Sequence, residues 1–311
     1  MSRSLKAHLL LVAATLIWGS TFVVVKASLQ FASPLVFTTF RMGLAAMVLA
    51  LVYRKHLAAI TRPSLLGGFT VGLLVFLGYA LQTTGLKLTT PSKSAFLAGT
   101  ASILVPLALI VFWRARIHPW RAAGTVAAFA GLFLMTIPAG NEAFADFGRV
   151  NRGDLLTIAS AIAFTFQIIL VGRATQRFPF EQILVVQIAV AALLTAIATP
   201  LVERPHLQCS GTLITAILIA GILATVVAFG VQAWAQQFTP ATHAALIFAL
   251  EPVFAWLTSF IFLKERLGIR PGIGASLILT GVFVSELFGN VSQVESELSL
   301  GRNPANSAGS G

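Results

Sequence analysis

The chain has 311 residues, 57% of them hydrophobic and 10% charged, with a mean hydropathy of +0.89 and a formal net charge of +11. A soluble domain of this size carries far more surface charge, so these figures exclude an ordinary globular protein and point to membrane spans. The basic residues are scattered through short hydrophilic gaps, which argues against nucleic acid as a partner, and the single Cys209 leaves neither an internal disulfide nor a multi-thiolate metal site.

Apolar blocks of about 20 residues, long enough to cross a bilayer, recur along the whole chain. The first covers 7–26. Arg3 and Lys6 give it a basic start like that of a signal peptide, but the run carries Trp18 and reaches full spanning length, so it reads as retained. Blocks at 34–53, 65–86, 94–113 and 120–137 follow. After the longest link, 138–152, come 153–172, 180–201, 213–236, 241–263 and 271–287. The tail is rich in Ser, Asn, Gly and Glu and reads as disordered. The expected fold is therefore all-α, a polytopic membrane protein of ten transmembrane helices. It divides into a first five-helix unit (1–140), a connecting loop (141–152), a second five-helix unit (153–287) and a polar tail (288–311).

The two units repeat. Lys26-Ala27-Ser28 with Phe31 matches Arg173-Ala174-Thr175 with Phe178, at an offset of 147 residues. Thr90-Pro91 matches Thr239-Pro240 at 149, and Gly124 and Gly131 match Gly274 and Gly281 at 150. Such order at nearly one offset marks an internal repeat. Five helices per unit is an odd number, so the second unit crosses in the opposite sense, the inverted-repeat plan of alternating-access transporters. With the N-terminus inside, the inner segments of the first unit hold eight Lys/Arg against three outside, which supports both termini being cytoplasmic; beyond 137 the bias reverses. The earliest helices dominate insertion, so the first unit sets the expectation.

Four stretches carry a family resemblance: LIWGSTFVVVK from Leu16, FRMGLAAMVLAL from Phe40, LQTTGLKLTTPSKSAFL from Leu81 and ALEPVFAWLTSFIFLKERLG from Ala249. Together and in this order they resemble the EamA-domain branch of the drug/metabolite transporter superfamily, as two EamA-like units covering about Leu5 to Leu287. The resemblance implies ten helices, a central cavity between the units and movement of small metabolites, often amino-acid export. The family's Gly-Glu-Arg-Leu-like turn is present as Lys264-Glu265-Arg266-Leu267 in the second unit, whereas the first has Arg114-Ala115-Arg116 and no acid there.

Charges deep inside spans are the strongest functional signal, because each costs about 2.5–3.5 kcal/mol on insertion scales. Two stand out. Arg41 lies seven residues after Pro34, about 10 Å below the surface at 1.5 Å per residue. It fits either a clamp on backbone carbonyls or a guanidinium that pairs with a substrate carboxylate. Glu251 lies near mid-membrane and directly before Pro252; the matching position before Pro106 is Val105, so the acid breaks the symmetry of the repeat. It is expected to bind a proton or a substrate ammonium, or to form a structural ion pair, Arg41 being one possible partner. Pro106 and Pro252 are the hinge candidates, each removing the donor of a carbonyl four residues back, on Ser102 and Phe248.

Gln82, Gln167, Gln232 and Thr21 are weaker binding candidates, since such groups equally tie helices together. Trp18 and Trp256, with Phe96 and Trp234, are candidates for an aromatic lining. Lys26 is expected to snorkel to headgroups, and Asp154, Glu181 and Glu286 to be solvated at span ends.

The expected function is a secondary transporter, a permease exporting amino acids or related compounds across the cytoplasmic membrane. The alternatives are a drug or nucleotide-precursor transporter of the same fold or, less well supported, an intramembrane enzyme. His8, His56, His118, His206 and His243 fall in gaps or at span ends without metal-site spacing, and no second deep carboxylate makes an acid dyad. No metal or cofactor is implied, and the expected partners are a small-molecule substrate and membrane lipid.

Overall fold

The computed structural model describes residues 3–89, 91–136, 151–263 and 268–288. The long link, the Lys264–Leu267 turn and the tail expected to be disordered lie outside these, apart from the first and last residues of the flanking helices. Hydrocarbon offers no partner to a bare amide, so apolar runs in such a chain must close their hydrogen bonds within helices. The helices are α1 (Arg3–Ser28), α2 (Pro34–Val52), a short α3 (Arg54–Leu57), α4 (Arg62–Leu88), α5 (Pro91–Gly99), α6 (Ala101–Trp113) and α7 (Pro119–Thr136). There follow α8 (Arg152–Arg177), α9 (Phe180–Val202), α10 (Gly211–Leu218), a π-helical stretch (Ile219–Val227) and α11 (Ala228–Ala235). The last three are α12 (Ala241–Phe248), α13 (Glu251–Leu263) and α14 (Ile269–Phe288). Among the described residues the only β-pairing is an isolated bridge between Ala32 and Leu207.

Eight helical stretches are long and apolar enough to cross a membrane, α10 through α11 forming one of them as Gly211–Ala235. Of the ten expected spans, α14 provides only a shorter apolar helix, Ile269–Ser285, and α7 is not among the eight. The outer faces carry exposed Val111, Phe112, Leu201 and Phe283, a coat suited to lipid rather than water.

Polar residues at the loop ends start the helices. Thr61 and Ser64 form a capping box at α4, and Asn151 and Asp154 form another at α8, with bonds of 2.9 Å in each direction. Asp154 is thus buried rather than solvated, and it also accepts from Thr89 Oγ1 at 2.8 Å. Glu203 Oε1 reaches from the end of α9 to the start of α2, accepting from the amides of Leu35 and Val36 at 3.1 Å each. A carboxylate suits a helix N-terminus for its unpaired donors and positive dipole end. Lys26 does the converse. It does not snorkel outward; its ammonium donates to the carbonyls of Leu86 (2.5 Å) and Thr89 (3.0 Å) where α4 ends.

Glycines set the closest approach between the units. A Cβ on Gly131 would overlap the Gly274 carbonyl oxygen, and one on Gly274 the Gly131 oxygen. Gly124 and Gly281 stand in the same reciprocal relation, each Cβ falling 2.5 Å from the other's carbonyl oxygen. The order of these pairs makes α7 and α14 antiparallel, and only hydrogen fits between their backbones.

The two prolines stand differently to the helix breaks. The first interruption falls at Thr100, between α5 and α6, and Pro106 lies inside α6. The second falls at Ala249-Leu250, and Pro252 sits in the first turn of α13, where an amide has no intrahelical partner to lose.

Candidate functional site

Both helix breaks face one cavity. It encloses about 900 Å³ of space free of protein atoms, part of it continuous with solvent, and draws its walls from α1, α2, α4, α8, α11 and the α5–α6 and α12–α13 junctions. Ala98, Gly99 and Ser102 flank the first break, and Phe248 and Glu251 the second. The ring of Pro106 deprives the Ser102 carbonyl of its usual donor at this wall.

Of the sequence candidates, Trp18, Thr21, Arg41, Gln82, Gln167, Gln232 and Glu251 line the cavity. Trp256 does not: it packs on the apolar cluster that includes Ile247, Val253 and Ile278. Phe96 belongs to that cluster too, and Trp234 packs edge-on with Phe238 and under the Lys6 ammonium, so Trp18 alone of the four proposed aromatics lines the cavity. His8 and His243 face each other at 5.7 Å between ring centroids, away from its walls.

Arg41 is buried and tied down. Its Nε donates to Thr225 Oγ1 at 2.9 Å, and its Nη2 to Tyr79 Oη at 3.0 Å and the Ala224 carbonyl at 3.4 Å. The guanidinium carbon lies 4.2 Å from the centre of the Tyr79 ring, a cation–π contact. The π-helical stretch makes this anchoring possible. Its wider winding shifts the carbonyl register, and the Ala224 oxygen accepts from Trp18 Nε1 at 2.8 Å as well as from Arg41. Arg41 and Glu251 form no ion pair; among the described residues the Glu251 side chain makes no hydrogen bond or ion pair at all.

The amides divide likewise. Gln167 and Gln232 bond reciprocally, at 3.2 and 3.5 Å, and both are buried, so they hold α8 to α11. Gln82 forms no such bond among the described residues, which leaves its amide to the cavity.

Five of the lining aromatic residues form a chain of contacts, and only Trp18 among them was a sequence candidate. Phe248, Trp18, Phe229, Tyr79 and Phe164 touch in sequence, at centroid separations of 5.1, 5.5, 6.0 and 5.1 Å. A pattern in the chain does mark them. Each of Trp18, Tyr79, Phe164, Phe229 and Phe248 precedes a polar lining residue by three: Thr21, Gln82, Gln167, Gln232 and Glu251 respectively. In the four pairs on a continuous helix, residues three apart share a face, so an aromatic and a polar group enter the cavity together; Phe248 and Glu251 instead flank the Ala249-Leu250 break.

The lining reaches Val25 and Leu86, near the ends of α1 and α4. Toward the opposite face Ala7, Leu11, Ala235 and Ala244 pack in one apolar cluster, and Arg3 lies 5.7 Å from the Phe238 ring and Lys6 5.5 Å from that of Trp234. The cavity thus extends toward the face where α1 ends.

The model of the EamA-like transporter family matches the chain twice, over residues 5–137 and 151–287. An uncharacterized transporter of Archaeoglobus fulgidus is 30% identical over 92% of this chain and 87% of its own length. The uncharacterized transporter YoaV of Bacillus subtilis is 24% identical over 90% and 96%. In fold, the chain resembles a protein of known crystal structure at a TM-score of 0.74 and 20% identity, covering 92% of this chain and 99% of that one.

Proposed function

The chain belongs to the EamA-like transporter family and is an integral membrane transporter; from that premise we propose that it is a secondary transporter working by alternating access on small metabolites bearing an amine, amino acids and related compounds among them. The observation that carries this is a cavity bounded by both helix breaks and lined by Arg41 and Glu251. Transporters place substrate near mid-membrane between repeats, on discontinuous helices, because an interrupted helix offers polar backbone where an intact one offers none.

The reciprocal glycine contacts support an inverted repeat. Gly124 corresponds to Gly274 and Gly131 to Gly281 in the sequence, and exchanging the units converts the Gly124–Gly281 contact into the Gly131–Gly274 contact. In this reading ten helices cross the cytoplasmic membrane, both termini are cytoplasmic, and the cavity is open outward. Glu251, facing the cavity without a partner, binds the substrate ammonium or a proton in turn, and that competition couples the two.

The test is a metabolite comparison of cells overproducing the protein with cells lacking it, followed by counterflow of the accumulated or depleted compounds in liposomes. Purified protein should exchange at least one such compound. Equal metabolite profiles and no counterflow of any compound across a broad panel would end the transporter mechanism proposed here.

A further inference from the structure

Of Arg41 and Glu251, the acid is the less committed by its hydrogen bonds. Arg41 spends its Nε proton on Thr225 and its two Nη2 protons on Tyr79 and Ala224, and one face of its guanidinium lies against the Tyr79 ring. Only Nη1 has no bond among the described residues, so the two-pronged grip that makes arginine a strong carboxylate ligand is not on offer. Glu251 is the reverse case: it lines the same cavity with no hydrogen bond or ion pair among the described residues. The remaining polar groups of the wall, such as Gln82, Thr21 and Ser102, are neutral.

Around these groups runs the belt of Phe248, Trp18, Phe229, Tyr79 and Phe164. The Trp18 indole nitrogen donates to Ala224, so it is committed outside the cavity while the ring remains in the wall. Aromatic faces attract ammonium groups and accept apolar bodies, but they give nothing to a carboxylate. A ligand carboxylate would meet only Nη1 of Arg41 in place of the two-pronged fork, in a cavity shared with the unpartnered Glu251 carboxyl, so it would be held less firmly than at a free guanidinium.

Resting on the transporter reading above and narrowing it, we propose that this site selects an amphiphilic amine without a free carboxylate, such as an aryl-alkylamine or an amino-acid ester or amide, over the corresponding zwitterionic amino acid. The ammonium pairs with Glu251, and the apolar body lies along the aromatic belt.

Three probes sharing one phenyl group separate the possibilities: phenethylamine, phenylalanine and 3-phenylpropionate. They are compared at equal concentration in proteoliposomes holding the full-length protein. Counterflow of phenethylamine should exceed that of phenylalanine by about tenfold or more, an energy difference of about 1.4 kcal/mol, and 3-phenylpropionate should not move. Glu251→Gln should abolish phenethylamine movement while its thermal unfolding in detergent stays cooperative. Phenylalanine moving as fast as phenethylamine overturns the selection and leaves the transporter reading intact, as does undiminished phenethylamine movement in Glu251→Gln. Failure of all three probes also overturns it, the transporter reading then being judged by the metabolite comparison. The probe series on the parent protein decides the matter even if the variant does not fold.

Discussion

Arg41 and Tyr79 are joined twice: the guanidinium stacks on the ring at 4.2 Å and donates through Nη2 to the hydroxyl of the same residue at 3.0 Å. This binds α2 to α4 within the cavity wall and commits Nη2 of the guanidinium to Tyr79. Tyr79→Phe keeps the ring and removes the acceptor. A buried charged donor left short of a partner costs about 1–3 kcal/mol, so the melting temperature in detergent should fall. The freed Nη2 should also raise the phenylalanine-to-phenethylamine counterflow ratio, whereas Tyr79→Leu should destabilise further by losing the ring.

The Gln167–Gln232 pair is open to a double-mutant cycle. Each single change to Leu strands one buried amide and should cost about 1 kcal/mol. The double change removes both amides and should cost less than the two singles together. Strict additivity in thermal unfolding would mean that the two side chains do not depend on each other.

Lys26→Met withdraws the cation from the carbonyls ending α4. Placed at a helix C-terminus, such a charge contributes about 0.3–1 kcal/mol, and up to about 2 where partly buried. Unfolding should shift by that amount, with Lys26→Arg recovering most of it. Equal stability of Lys26→Met and the parent would show that the bonds to Leu86 and Thr89 contribute nothing.

Topology is checked by labelling intact cells with an impermeant thiol reagent. Cys209 is exposed and must first become Ser. In that background Ala145→Cys should react, and Ala59→Cys and Ser307→Cys should not. Reaction at either of the latter would reverse the proposed orientation.

Much of the scaffold is legible in the sequence because a bilayer demands long apolar runs, and seven polar or aromatic candidates converge on one cavity. Trp256 was separable from them in principle: on a helix at 100° per residue it stands about 140° around from Glu251, on another face. The aromatic-x-x-polar spacing was equally available for Tyr79, Phe164, Phe229 and Phe248. The first helix break was not: it falls at Thr100, six residues before Pro106, whereas the second, at Ala249-Leu250, lies just before Pro252, whose missing N–H leaves the Phe248 carbonyl without its donor. Nor could a sequence pattern reveal that a π-helical carbonyl from the second unit anchors Arg41 in the first, since that depends on how the units meet.

The reciprocal glycines bear on how such a protein arises. The Gly124–Gly281 and Gly131–Gly274 contacts between α7 and α14 each join one unit to the other, and each becomes the other when the units are exchanged. A single ancestral five-helix gene product, inserted in both orientations, could have made these same contacts with a second copy of itself. Duplication and fusion would then need no new interface, only a linker. Once fused, the two copies were free to diverge, and an acid could settle at 251 while its twin position kept the valine at 105.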